Sequence, residues 1–193
     1  MRVTAMVKIR KENLAKRVAW MVTPRILRRF VRRKDGTAAI EFAMVAAPFL
    51  ALMFAIIETA LVFFAGQVLE TAAADSARLI LTGQAQKQGL SSSQFKESVC
   101  GKIFGLFDCT GGVQVDVRTY SAFGDANMNK PIDANGNLVS NFTYQPGGPG
   151  DIVVVRLLYQ WPVYVSLLGF NLADMAGNKR LIMATSAFRN EPF

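Results

Sequence analysis

The sequence contains no histidine and only two cysteines, Cys100 and Cys109. The first absence excludes Ser-His-Asp triads and every general-base scheme built on imidazole. It also denies a zinc site its usual nitrogen ligands, and the cysteines lack the CxxC-type spacing of a metal centre. No carboxylate pair, phosphate-cradling loop or nucleotide fingerprint stands out. Lys96 and Lys102 stand among serines, but those serines occupy the place of a helix cap. The chain is therefore not expected to be an enzyme, and no catalytic residue, metal, cofactor or small-molecule substrate is assigned.

Acidic residues are scarce at the start. Residues 1–36 hold twelve Lys/Arg against Glu12 and Asp35, whereas the rest of the chain holds ten Lys/Arg against twelve Asp/Glu. The isoelectric point near 9.8 thus belongs to a leader and not to a folded domain. Such a basic start can bind nucleic acid. Here it abuts a long apolar run, and Lys and Arg beside a membrane segment hold that end in the cytoplasm. No nucleic-acid partner is expected.

The apolar run is the dominant feature of a chain that is 51% hydrophobic. Phe42–Ile57 gives sixteen residues without a charge, and after Glu58 another eleven follow to Leu69. Phe42–Leu69 would extend roughly 42 Å as a helix, against a hydrocarbon core of about 30 Å. That exceeds the core of a cleavable secretory signal, so the segment reads as a lasting membrane anchor. The apolar pattern continues, mixed with Glu70, Asp75 and Arg78, until Gly83 offers a stop. One helix from about Thr37 to Leu81 is expected, first in lipid and then as the amphipathic spine of an outer domain. Pro48 predicts a kink. Ala39, Ala43, Ala47, Ala51 and Ala55 recur every fourth residue and make a candidate helix-packing face. Glu58 reads as a snorkelling interfacial acid. Glu41, at membrane depth, calls for a partner.

The junction reads Arg32-Arg33-Lys34-Asp35-Gly36-Thr37-Ala38-Ala39-Ile40-Glu41-Phe42. A glycine closes the basic leader, and glutamate then an aromatic stand fifth and sixth after it. This resembles the processing site of type IV prepilin-like proteins, and more closely the TadE-like pseudopilins of tight-adherence (Tad, or Flp) pilus systems. Pro48, the Ala72–Arg78 stretch and the terminal Phe188-Arg189-Asn190-Glu191-Pro192 share that likeness, which is strongest over residues 33–82. The resemblance implies cleavage between Gly36 and Thr37 by a membrane prepilin peptidase. It implies that Glu41, followed by Phe42, sets assembly register by pairing with a neighbouring subunit's new N-terminal amine. The implied partners are membrane lipid, the peptidase, other pilin-like subunits and the pilus assembly platform. The implied place is the bacterial inner membrane, crossed once, with the C-terminal domain periplasmic. The rival reading is an uncleaved signal-anchored scaffold or binding protein of the same topology.

The expected fold class is α+β, divided into a leader (1–36), a membrane and spine helix (37–82) and a periplasmic domain (83–193). Ser91–Ser93 precede Phe95, Val99, Ile103 and Leu106, spaced as one face of a capped helix. Val113–Tyr120 alternates as a half-buried strand, Ile152–Tyr159 reads as a more central one, and Leu181–Phe188 as a third. An antiparallel sheet on the spine helix follows. Cys100 and Cys109 are expected to close a disulfide, stabilising by roughly 2–3 kcal/mol on the chain-entropy model; two buried thiols are the alternative. Residues 121–150 carry two stretches, from Asp125 and from Asp133, that look like calcium loops but lack glutamate at the twelfth position. They read as turns, within a loop that is the candidate partner-facing surface. Trp161–Met175 reads as core, with a membrane-lying segment as the alternative.

Overall fold

The computed structural model describes residues 36–103, 105, 107–164 and 171–193. The leader before Gly36, Leu106 and the 165–170 part of the second apolar stretch lie outside the described residues. Helix α1 runs Thr37–Leu81, with Pro48 inside it. No glycine interrupts it before Gly66, and alanine and leucine dominate, so helix propensity and apolar content act together. It ends where expected: Gly83 adopts φ 71, a left-handed conformation that a Cβ disfavours, and its N–H bonds the Ile80 carbonyl at 3.0 Å.

Among the described residues the chain divides after Leu50 into two compact units. The first, up to Leu50, is helical and almost wholly exposed although strongly apolar. The second begins at Ala51 and contains the rest of α1. There the buried residues are Glu58, Val62, Ala65, Leu69, Ala72, Ala73, Ser76, Ala77 and Ile80, which recur at three- and four-residue steps. That spacing draws one stripe along a helix, so the amphipathic spine is present.

The turn α2 (Gln84–Lys87) leads to α3 (Ser92–Cys100), whose N-cap Ser91 forms a capping box with Gln94. Phe95 and Val99 are its buried face. It stops at Cys100 instead of continuing to Leu106 as the spacing suggested, and Ile103 enters the core from the following turn. A disulfide joins Cys100 to Cys109, the first residue of the turn α4 (Cys109–Gly112), with the Cα atoms 5.5 Å apart. Replacing both cysteines by alanine should lower stability by about 2–3 kcal/mol. Thermal unfolding of the oxidised and the substituted full chain checks this, and equal midpoints would contradict it.

Three antiparallel strands follow, β1 (Gln114–Tyr120), β2 (Ile152–Pro162) and β3 (Lys179–Arg189), in the order β1-β2-β3. Val155 stands opposite both Val117 and Ser186. The strand read as most apolar is thus the central one. Odd-numbered β2 residues, Val153, Val155 and Leu157, share one buried cluster with the α1 stripe, Phe95 and Val115. The fold is therefore the expected α+β, a long apolar helix followed by a domain with a three-stranded antiparallel sheet.

The second face of the sheet differs from the expectation of a half-exposed surface. Leu158, Met175 and Leu181 form a further cluster, covered by Ile132, Leu138, Phe142 and Met183. Residues 121–150, read as an exposed partner-facing loop, therefore contribute a layer of their own. The loop is pinned by a parallel bridge from Tyr144 to Val117, by Ala176 N–H to the Gly136 carbonyl at 2.8 Å and by a Lys130–Asp174 ion pair. The Asp133 stretch is a turn, its carboxylate accepting the N–H groups of Asn135 and Asn137. Phe123, Met128 and Val139 remain exposed on this loop.

Candidate functional site

The sequence-derived site residues fall on α1. Gly36 is half-buried immediately before the helix, and Thr37 is the helix's first residue. Glu41 is exposed on an otherwise apolar surface, and Phe42 beside it is 74% exposed. An 18-residue window of α1 has mean hydropathy 2.3, and none of it is covered by the rest of the protein. Water does not tolerate so long a bare apolar helix, and a bilayer does. Ala39, Ala43 and Ala47 are exposed, whereas Ala51 and Ala55 are half-buried. The row is thus available to another helix over its first turns only. Thr59, which continues the spacing, turns its hydroxyl back onto the Ala55 carbonyl at 2.8 Å.

Glu58 departs from its reading as a snorkelling acid. It is 7% exposed, and its carboxylate accepts the backbone N–H of Tyr164 at 2.5 Å. Those residues are 106 apart in sequence, and nothing local to Glu58 signals the contact. A buried carboxylate in an apolar helix needs a donor, but the sequence does not say which.

The sheet holds a second polar centre that sequence reading missed. Asp116 lies on β1 in a position that alternation assigns to solvent, yet its side chain is almost fully buried. Arg156 on β2 reaches it through Nε at 3.0 Å and Nη2 at 2.5 Å. Arg118 Nε adds bonds at 3.0 Å to both oxygens, and Thr143 N–H donates at 2.9 Å from the covering loop. Burial alone would raise the carboxyl's pKa. The bonds from Thr143, Arg156 and Arg118 outweigh it, and the group is held below the usual carboxylate range. Register carries the arrangement, because Asp116 and Arg156 are directly paired residues of adjacent strands. The centre ties loop to sheet; it is a structural polar network and lies apart from the α1 residues.

The chain's last residues bear on α1. Glu191 N–H bonds the Leu81 carbonyl at 2.9 Å, one of the carbonyls a helix end leaves unsatisfied. Asn190 Nδ2 bonds the Pro146 and Gly148 carbonyls at 3.0 and 2.9 Å. The Phe193 ring lies over Gly83 so closely that a Cβ there would collide with it.

Compared with known proteins, residues 36–78 match the family model of TadE-like protein. No curated protein and no solved structure matches the chain. The match begins at Gly36, spans Glu41, Phe42, Pro48 and Glu58, and ends three residues short of the helix terminus. The matched segment contains the junction glycine and most of α1, and over it the chain is similar to TadE-like protein.

Proposed function

We propose that this chain is a minor, pilin-like structural protein that supports assembly of a Tad-type adhesive pilus and acts as a substrate of a prepilin peptidase. The observation that carries the reading is the TadE-like segment, in which Gly36 stands directly before a bare apolar helix. The peptidase would cut between Gly36 and Thr37, where a residue without a Cβ leaves the scissile backbone open to close approach. The mature chain would begin at Thr37 and carry its new amine beside the lipid. Glu41 lies one helical turn further on, where a carboxylate has little water to solvate it. A neighbouring subunit's amine would supply the missing charge, and a subunit out of register would leave both groups unpaired. The early alanine row would let that neighbour's helix approach closely.

The topology proposed is a single crossing of the inner membrane, with leader 1–36 cytoplasmic, helix 37–82 and the domain 83–193 periplasmic. The basic leader supports this orientation. The Cys100–Cys109 disulfide supports an oxidising compartment for the domain. The protein's work would lie in helix packing and surface contact, with assembly-platform proteins and other pilin-like subunits as partners. Determination of the N-terminus and mass of the membrane-extracted protein, produced with the matching peptidase, tests the proposal. Thr37 should be the mature N-terminus, and Gly36→Ala should retain the leader. An intact leader in the wild-type chain under active peptidase would replace this reading with that of an uncleaved, signal-anchored scaffold.

A further inference from the structure

We infer that the outer edge of β3 is a docking site for an extended segment of another polypeptide, which joins the sheet as its next strand. β3 is the last strand on its side and pairs only with β2. Its start is closed by the chain itself. Met175 N–H bonds the Lys179 carbonyl at 3.0 Å, and Leu181 N–H bonds the Asp174 carboxylate at 2.7 Å. Both bonds leave the strand on the side away from β2. Backbone direction in an antiparallel strand repeats every second residue, so Met183, Thr185 and Ala187 turn their N–H and C=O groups the same way. Among the described residues none of these groups has a partner, and Thr185 and Ala187 are exposed. The opposite edge is treated differently. There the outward Val117 of β1 gives its N–H to the Thr143 carbonyl at 2.8 Å and accepts Gln145 N–H at 2.9 Å. The fold thus covers one edge with its own loop and leaves the other open beyond Asp174, and an unpaired edge is a template for a strand.

Side chains of the incoming strand have a place prepared. A groove of about 290 Å³ is lined by Met183 from one face of β3 and by Ile182 from the other, so it lies along the strand's outer side. Val62, Gly66 and Gln67 of α1 form its far wall. Alternate residues of an added strand would point into it, so small apolar side chains at every second position fit. β3 carries Lys179, Arg180 and Arg189 and no acid. Cations at both ends of the open stretch favour an occupant with acidic ends. A second copy cannot supply the strand from its own β3. α1 and β3 run the same way, since Gly66 lies beside Ile182 and the Leu81 carbonyl accepts Glu191 N–H. Antiparallel pairing of two β3 edges would therefore point two α1 helices in opposite directions, which two anchors in one membrane cannot do. Parallel pairing about a shared two-fold axis would set each outward residue against its own copy, whereas a parallel ladder needs a shift of one residue.

The exclusion of a second copy rests on α1 being the membrane anchor; the docking edge stands whether or not the chain is cut at Gly36. The probe is a nine-residue peptide of alternating valine and threonine with an aspartate at each end, added to the full chain in phospholipid nanodiscs. Backbone pairing supplies the affinity and tolerates many sequences, so ~1 mM peptide should bind. Deuterium exchange at the Met183, Thr185 and Ala187 amides should then slow by about tenfold or more. The same peptide with proline at its centre should give no protection. Thr185→Pro removes only an outward N–H, which an edge strand tolerates. It should abolish the protection and leave the unfolding midpoint nearly unchanged, whereas Ser186→Pro, whose N–H faces β2, should lower that midpoint. Should Thr185→Pro not fold, the comparison of the two peptides on the wild-type chain decides alone. Unchanged exchange at these amides under ~1 mM of the alternating peptide overturns the inference. Protection that appears without peptide and grows with protein concentration also overturns it, because the occupant would then be a second copy.

Discussion

Replacing Asp116 by alanine is expected to cost about 3–5 kcal/mol, because it leaves the buried Arg156 guanidinium without its carboxylate beneath the covering loop. The same change removes the acceptor for Thr143 N–H, one of the bonds holding residues 121–150 against the sheet. In a chain of this size the unfolding midpoint should fall by roughly 10 °C. The cost belongs to the unpaired charge and not to the pair as such. Asp116→Leu combined with Arg156→Met should therefore recover most of the loss, since a matched apolar pair needs no desolvated partner. A loss below about 1 kcal/mol for the single change would sink this account. The pH dependence follows from the same contacts. The folded-state pKa of Asp116 lies below its unfolded value near 3.9. Its stabilisation is then fully present above pH 4 and is lost as pH falls through the depressed folded value. Asp174 acts in the same direction: burial raises its pKa, but the bonds from Lys130 and Leu181 N–H outweigh this and lower it. Acid unfolding of the wild type should thus steepen below pH 4, and Asp116→Leu/Arg156→Met should flatten that limb.

The second large effect concerns assembly. Glu41→Ala should leave cleavage after Gly36 and membrane insertion intact and reduce association with other pilin-like subunits by roughly tenfold or more. The substitution itself removes a charge from an exposed apolar helix, so the isolated subunit should be as stable in the membrane or more so. A stabilised monomer that assembles worse is the signature of a registry group. Cross-linking yield between neighbouring subunits in membranes, read alongside the mature N-terminus, checks it. Unchanged cross-linking by a fully processed Glu41→Ala chain would remove Glu41 from assembly. Glu41→Asp should be intermediate, since it keeps the charge and shortens the reach.

Residues whose role depends on their own neighbourhood in sequence were legible, and those whose role depends on distant chain were not. The uninterrupted apolar run announced α1, and Gly83 its end. Alternation announced β1, and continuous apolarity placed β2 at the centre. Ser91 declared the start of α3 through its cap. Asp116 was missed because period-two alternation distinguishes faces but does not say whether a face is covered. Its cover is the segment 121–150, whose Gly, Asn and Pro content hides three apolar residues, Ile132, Leu138 and Phe142, with no helical or strand period. Glu58 was misread for the same reason, since its donor lies 106 residues away. The proposed site residues Gly36, Thr37, Glu41 and Phe42 rest on local patterns, a helix start and its flanking charge, and the structure places them at the start of α1.

The core shared by α1 and the sheet also dictates an order of events in time. Ala65, Leu69, Ala72 and Ala77 are covered by a cluster that includes Val153, Val155 and Leu157, strand residues some eighty positions later in synthesis. If the domain is exported as proposed, the outer part of α1 has nothing to bury its stripe against until those strands have crossed the membrane, and Asp116 waits forty residues for Arg156. Contacts so distant form late and slowly. The emerging chain is thus an anchored helix trailing unfolded polypeptide, prone to pair wrongly with its neighbours while it waits. On the proposed topology and role, incorporation into a larger structure would follow the arrival of β3, and the pace of export would set the earliest moment at which a subunit could join.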